Sequence, residues 1–225
     1  MKEWIAVLRA ADAAARWHVH QRRKGVAQEP YINHLLEVAS LVVEATGGSD
    51  PTVVIAALLH DAVEDQGVTS KTIASEFGKH VADIVMEVTD DKTLPKNERK
   101  RRQIELAPKK SRQAKLIKLA DKTSNLRTIA SSPAVDWSIK RRLAYIDWAK
   151  AVVASLRGTS PWLEQQFDEA VAVAERSFNP PMARFRESKV KVRFQVDTVA
   201  KVENRATPKI SRKSIFRRLR RSNAL

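Results

Sequence analysis

The 225-residue chain is long enough for one well-filled core plus an appendage, and its 43% hydrophobic and 30% charged residues are those of a globular protein. The absence of cysteine excludes disulfides and thiolate zinc sites, and no apolar run approaches the roughly 20 residues needed to span a bilayer. The formal net charge of +15 is uneven, because residues 180–225 hold fourteen basic side chains against three acids; that tail carries +11 and residues 1–179 only +4, so any inference about polyanions attaches to the tail.

Met1-Lys2-Glu3-Trp4 carries an acid at once and no apolar stretch of a secretory signal, so the expected location is the cytoplasm, with no membrane contact. Ile5, Leu8, Ala11 and Ala15 recur at helical spacing and predict a first helix over Trp4–Arg22, with Gly25 as its C-cap. The cations Arg22, Arg23 and Lys24 near its end either offset the helix dipole or form a phosphate clamp. Pro30-Tyr31-Ile32-Asn33 opens a second helix, with His34 in its first turn and Leu36, Val38, Ala39, Val42 and Val43 as its apolar face. Gly47-Gly48 stops it. Asp50-Pro51 then supplies an N-cap and an N1 proline for a third helix.

That third helix contains the most informative stretch, Ala56-Ala57-Leu58-Leu59-His60-Asp61-Ala62-Val63-Glu64-Asp65. If the helix continues unbroken, His60 and Glu64 lie one turn apart and Asp61 faces Asp65. Unpaired carboxylates at the end of an apolar helix cost several kcal/mol if buried. Either they point into water at a helix terminus, or a divalent cation satisfies them; imidazole plus carboxylate suits Mn, Fe, Zn or Mg.

Ser70–Phe77 and Val81–Val88 predict two further helices, with His80 between them on the surface. Thr89–Lys96 is polar and broken by Pro95, and Asn97–Glu105 is a basic, solvated segment. In Lys115-Leu116-Ile117-Lys118-Leu119-Ala120-Asp121-Lys122, Asp121 arrives at the edge of a core-facing stripe with Asn125 one turn on. It is either paired to Lys122 or a further metal ligand. Trp137–Arg157 and Pro161–Ala174 complete an all-α core of roughly eight helices. In the tail, Lys189–Val196 alternates like an edge strand, and Ser211–Arg221 is a basic cluster spaced by Ile215, Phe216 and Leu219.

His34, His60-Asp61 and Asp121, in that order on helices, resemble the HD-domain metal phosphohydrolases. Gln21-Arg22-Arg23-Lys24, Pro30–His34, Ala56–Asp65, Val88–Lys92, Lys118–Lys122, Trp137-Ser138, Tyr145 and Trp148 are more narrowly similar to the small alarmone hydrolases, stand-alone relatives of RelA/SpoT of the type also found in animals. The likeness covers about residues 5–175. It implies an HD-domain helical bundle over 1–179 with a basic extension over 180–225, and a manganese-dependent pyrophosphohydrolase that removes the 3′-diphosphate of ppGpp and pppGpp.

By the same resemblance His34, His60, Asp61 and Asp121 hold Mn²⁺, and Glu64 and Asp65 position or deprotonate the attacking water. Arg23, Lys24, Lys96, Asn125 and Tyr145 then bind the substrate. The chemistry is consistent, since phosphate-ester hydrolysis needs a cation to acidify water and a carboxylate to take its proton. The sequence departs from the family in Leu35, where proline is usual, and in Thr123-Ser124, where Leu-Tyr is usual; the second departure predicts a looser stacking wall around base or ribose.

Two other readings stay open. One is an HD phosphatase acting on NADPH, an activity linked to the animal type, or on another nucleotide. The other is a nucleotide-sensing module whose tail docks on RNA or another polyanion. The tail itself is either such a contact or a solvated extension, and nothing in the sequence specifies an oligomeric state.

Overall fold

A computed structural model of the chain describes residues 2–178. Its helices are α1 (Lys2–Trp17), α2 (Ile32–Thr46), α3 (Pro51–Leu59), α4 (Ala62–Gln66), α5 (Ser70–Phe77), α6 (Lys79–Val88), α7 (Lys96–Leu106), α8 (Arg112–Ser131), α9 (Ile139–Ala154) and α10 (Pro161–Phe178), with a 3₁₀ turn at Ala107–Lys109. The all-α expectation holds among the described residues, with ten α-helices where about eight were expected. None of these is long and apolar enough to cross a membrane. The expected strand at Lys189–Val196, the basic cluster and the rest of 180–225 lie outside the described residues.

Helix α3 is apolar all round and therefore central, with Val53 to Leu59 all buried. It starts as its sequence dictates, Asp50 Oδ1 accepting from the Val53 amide at 3.1 Å with Pro51 at N1. Helices α1, α2 and α6 pack around it, and α8 crosses the core against α2, α3, α6, α9 and α10. Leu116, Ile117, Leu119 and Ala120 of α8 are fully buried, as are Phe167 and Leu163 of α10. Helix α7 buries no residue and is laced on its exposed side by Glu98–Arg101 and Glu98–Arg102 pairs, but it is not solvated all round, since Arg99 and Gln103 turn inward to Glu64 and Asp90.

Four local expectations are corrected. Helix α1 ends at Trp17, five residues early, because the chain folds back on itself: Arg22 bridges Pro30, the Arg23 amide donates to Glu29 O at 2.9 Å and the Tyr31 amide to Gln21 O at 3.1 Å. Gly25 is consequently no helix cap. It bridges Ala134, and a Cβ there would run into the backbone oxygen and hydroxyl of Ser132. The inward face of α1 is Ala10, Ala13 and Ala14, while Ile5 and Leu8 are exposed. Leu36 of α2 also points outward.

Candidate active site

The third helix does not run through to Glu64. It stops after Leu59; His60 and Asp61 form a turn, with Asp61 at φ −99°, ψ −2°, before α4 resumes at Ala62. On a continuous helix these neighbours would diverge by about 100°. The turn lets both side chains enter one space. His60 Nε2 lies 3.1 Å from Asp61 Oδ2.

His34 and Asp121 reach the same place from α2 and α8. His34 Nε2 is 3.4 Å from Asp121 Oδ1 and 3.7 Å from Asp61 Oδ2, and the two imidazoles meet edge to face at 5.3 Å. Ligand atoms of His34, His60 and Asp121 all lie within 4.8 Å of one another. Both histidines are buried, whereas the Asp61 and Asp121 side chains keep 18% and 13% exposure, enough to open on a cavity. His60 Nδ1 is occupied by Ala57 O at 2.8 Å, but its buried Nε2 makes no aligned hydrogen bond. An orphaned buried nitrogen beside two carboxylates fits a divalent cation.

Electrostatics match that geometry. Burial pulls the His60 pKa down, but Asp61 beside it, together with Asp121 and the Ala57 carbonyl, outweighs burial and raises it to about 9. Burial alone would raise the Asp61 and Asp121 carboxyls, yet the imidazoles hold Asp61 below the usual range and Lys122 holds Asp121 well below it. Burial lowers His34. Asp121 is both paired and clustered: Oδ2 accepts from Lys122 Nζ at 2.8 Å and Oδ1 from Asn125 Nδ2 at 2.6 Å.

Two cavities meet here. The smaller, about 170 Å³, is lined by His60, Asp61, Glu64, Asp65, Asp90, Lys118 and Asp121. The larger, about 470 Å³, is lined by Arg22, Arg23, Lys24, Gly25, Thr128, Trp137, Tyr145 and Trp148. Tyr31, Glu64, Asp65, Lys122 and Asn125 border both.

Glu64 Oε2 accepts from the Asp90 amide at 3.3 Å, and its pKa is raised by burial and by the charges of Asp90 and Asp61. Asp65 has both oxygens engaged, by Gln21 Nε2 at 2.8 Å and Lys92 Nζ at 2.7 Å. Arg23 is braced on Thr128 Oγ1 and sits 5.9 Å above the Tyr31 ring. Burial pushes the Tyr145 hydroxyl up to about 12.

Two positions singled out in the sequence lie off the cavity wall. Lys96, at the start of α7, is exposed and lines neither cavity. Thr123 and Ser124 do not shape the pocket, because the inner side of α8 carries them into the core: Thr123 Oγ1 donates to Leu119 O and Ser124 Oγ to Glu37.

Sequence reasoning passed over Tyr31, Lys122, Trp137 and Trp148 as pocket residues. Their signal was compositional. The chain has only two tyrosines, both in the larger cavity, and Trp148 follows Tyr145 at helical spacing. The Trp148 ring holds Lys122 at 4.6 Å and Lys100 at 4.7 Å.

Residues 10–150 match the family model described as HD domain. The chain is 51% identical over 162 residues to guanosine-3′,5′-bis(diphosphate) 3′-pyrophosphohydrolase MESH1 of Xenopus tropicalis, covering 72% of this chain and 90% of that protein. It is 50% identical to the human protein of the same name over 163 residues, 72% and 91% of the two chains. Among solved structures it resembles a metazoan orthologue of SpoT described as hydrolysing ppGpp and playing a role in starvation responses, with TM-score 0.72, 44% identity and coverage of 74% of this chain and 94% of that one. The lmo0812 protein of Listeria monocytogenes is similar at TM-score 0.53 and 32% identity, over 67% and 98% of the two chains.

Proposed function

The chain belongs to the HD-domain family, and on that premise we propose that it is a metal-dependent hydrolase of the alarmones ppGpp and pppGpp, releasing pyrophosphate from the 3′ position to leave GDP or GTP. The observation that carries this reading is the joined pair of cavities, a small acidic compartment opening into a larger one walled by cations and aromatic rings. A nucleotide with its diphosphate toward the acidic compartment and its base among Tyr145, Trp137 and Trp148 satisfies both.

His34, His60, Asp61 and Asp121 would hold the cation, with manganese the metal proposed. When bound, it lowers the pKa of water and offsets the charge of the diphosphate. Glu64 is the general base: its raised pKa suits proton uptake from the attacking water, and it lines both cavities. Asp65, held by Gln21 and Lys92, fixes the short α4 that carries Glu64. Arg23, Lys24, Lys122 and Asn125 stand where phosphate oxygens and the departing pyrophosphate need positive charge and hydrogen-bond donors. Residues 1–179 are the catalytic domain on this reading.

The test is pyrophosphate release from ppGpp by the full chain loaded with Mn²⁺, beside phosphate release from NADPH. Efficient turnover of ppGpp supports the assignment. Turnover of NADPH alone moves the protein to the other substrate, and an intact pair of substrates leaves a binding module.

A further inference from the structure

A metal site needs His34 to offer a bare nitrogen beside Asp61 and Asp121, and a neutral imidazole can carry its single proton on either nitrogen. For His60 the matter is decided by the backbone, whose Ala57 carbonyl can only accept. For His34 it is decided by side chains. His34 Nδ1 lies 2.8 Å from Ser124 Oγ, and Ser124 Oγ donates to Glu37 Oε2 at 2.6 Å. The other Glu37 oxygen accepts from Arg127 at 3.1 Å, and Arg127 is anchored on Gln166 of α10 at 2.7 Å.

The proton count follows from valence. The Glu37 carboxylate, paired with Arg127, offers only acceptors, so the single Ser124 proton goes to it. The Ser124 lone pair is then free to accept from His34 Nδ1–H. We propose that Ser124 and Glu37 are positioning residues for His34, a side-chain relay that fixes the Nδ1–H tautomer and presents the Nε2 lone pair toward Asp61 and Asp121.

Neither residue lines a cavity, and Ser124 is fully buried behind the site. The inference rests on the proposed reading of His34 as a metal ligand.

The test uses the full chain with ¹⁵N-labelled histidine and Mn²⁺ as the probe. Imidazole ¹⁵N shifts of the metal-free protein report the tautomer of His34 beside the protonation of His60, and calorimetry reports Mn²⁺ affinity. Ser124→Ala removes the acceptor; Glu37→Gln keeps the shape but can donate to Ser124 and so releases its orientation. Expected are an Nδ1–H His34 in the parent, a mixed tautomer in both variants with His60 unchanged, and Mn²⁺ affinity lowered by roughly 10- to 100-fold in Ser124→Ala, the range for groups that orient a ligand.

A parent His34 protonated on Nε2 overturns the relay. So do variants that melt at a lower temperature but keep the parent tautomer and affinity, which is the behaviour of a packing role. His34→Ala separates the two readings. Unchanged Mn²⁺ binding there overturns the ligand assignment and the relay with it, whereas lost binding there with unchanged binding in Ser124→Ala overturns the relay alone.

Discussion

The Tyr31 hydroxyl donates to Asp61 Oδ2 over 2.7 Å, while its ring stacks on His18 at 5.3 Å, so the segment entering α2 is tied to the turn that leaves α3 at a carboxylate oxygen 3.1 Å from the His60 imidazole and 3.7 Å from that of His34. A hydrogen bond to a charged acceptor is worth about 1.5–3 kcal/mol. Tyr31→Phe keeps the stacked ring and loses only that bond. Calorimetry is expected to show Mn²⁺ affinity reduced by about tenfold or more, with the helical circular-dichroism spectrum unchanged.

Glu64→Gln is expected to lower kcat by ~10²–10⁴, the span ascribed to a general base, with Mn²⁺ still bound at parental affinity. A base must be deprotonated to act, and burial together with the charges of Asp90 and Asp61 lifts Glu64 above the ordinary glutamate value. The acidic limb of kcat/KM against pH should therefore lie above that value. Asp90→Asn removes one of the repelling charges and should move the limb to lower pH.

His60 gives the metal-free protein a pH signature. Its folded pKa of about 9 exceeds the ordinary 6.5, so the stability it contributes is complete below 6.5 and is lost as pH rises through 9. A cation must displace the same proton. Mn²⁺ affinity should accordingly climb between those pH values with measurable proton release, while the melting temperature of the metal-free protein falls. Calorimetry in buffers of different ionisation enthalpy, beside thermal melts, checks both.

Gly25 permits the close approach of the Arg22–Lys24 loop to Ser132 and Ala134 at the rim of the larger cavity. Gly25→Ala should push that loop outward, at a cost of about 1–3 kcal/mol for overpacking. Because Arg23 and Lys24 move with the loop, KM should rise more than kcat falls. Lys96→Ala, outside both cavities, should leave KM for ppGpp close to parental. Steady-state kinetics on the two variants makes the comparison.

What the sequence determined by itself is whatever short-range physics controls. Asp50-Pro51 starts α3, the unrelieved apolar run of α3 demands burial, and the spacing of Leu116, Ile117, Leu119 and Ala120 sets the inward face of α8; each follows from caps and periodicity within a few residues. Around His60-Asp61 and Asp121 the residues by themselves suggested a shared cation, because ionisable groups closing apolar helices call for a partner, whereas His34 joined that set only through the family resemblance.

Tertiary structure alone decided where α1 stops, since the bridge of Arg22 to Pro30 outcompetes helix propensity. It also decided that the third helix breaks at His60-Asp61, that Ser124 turns to His34 and not to the pocket, and that Lys96 stays outside while Trp148 forms the wall. Those outcomes depend on partners up to 90 residues away, as Ser124 is from His34. No local pattern encodes which side chain arrives from that distance; packing does, by bringing α2 and α8 into contact at the point where a proton donor, an acceptor and a lone pair must be matched.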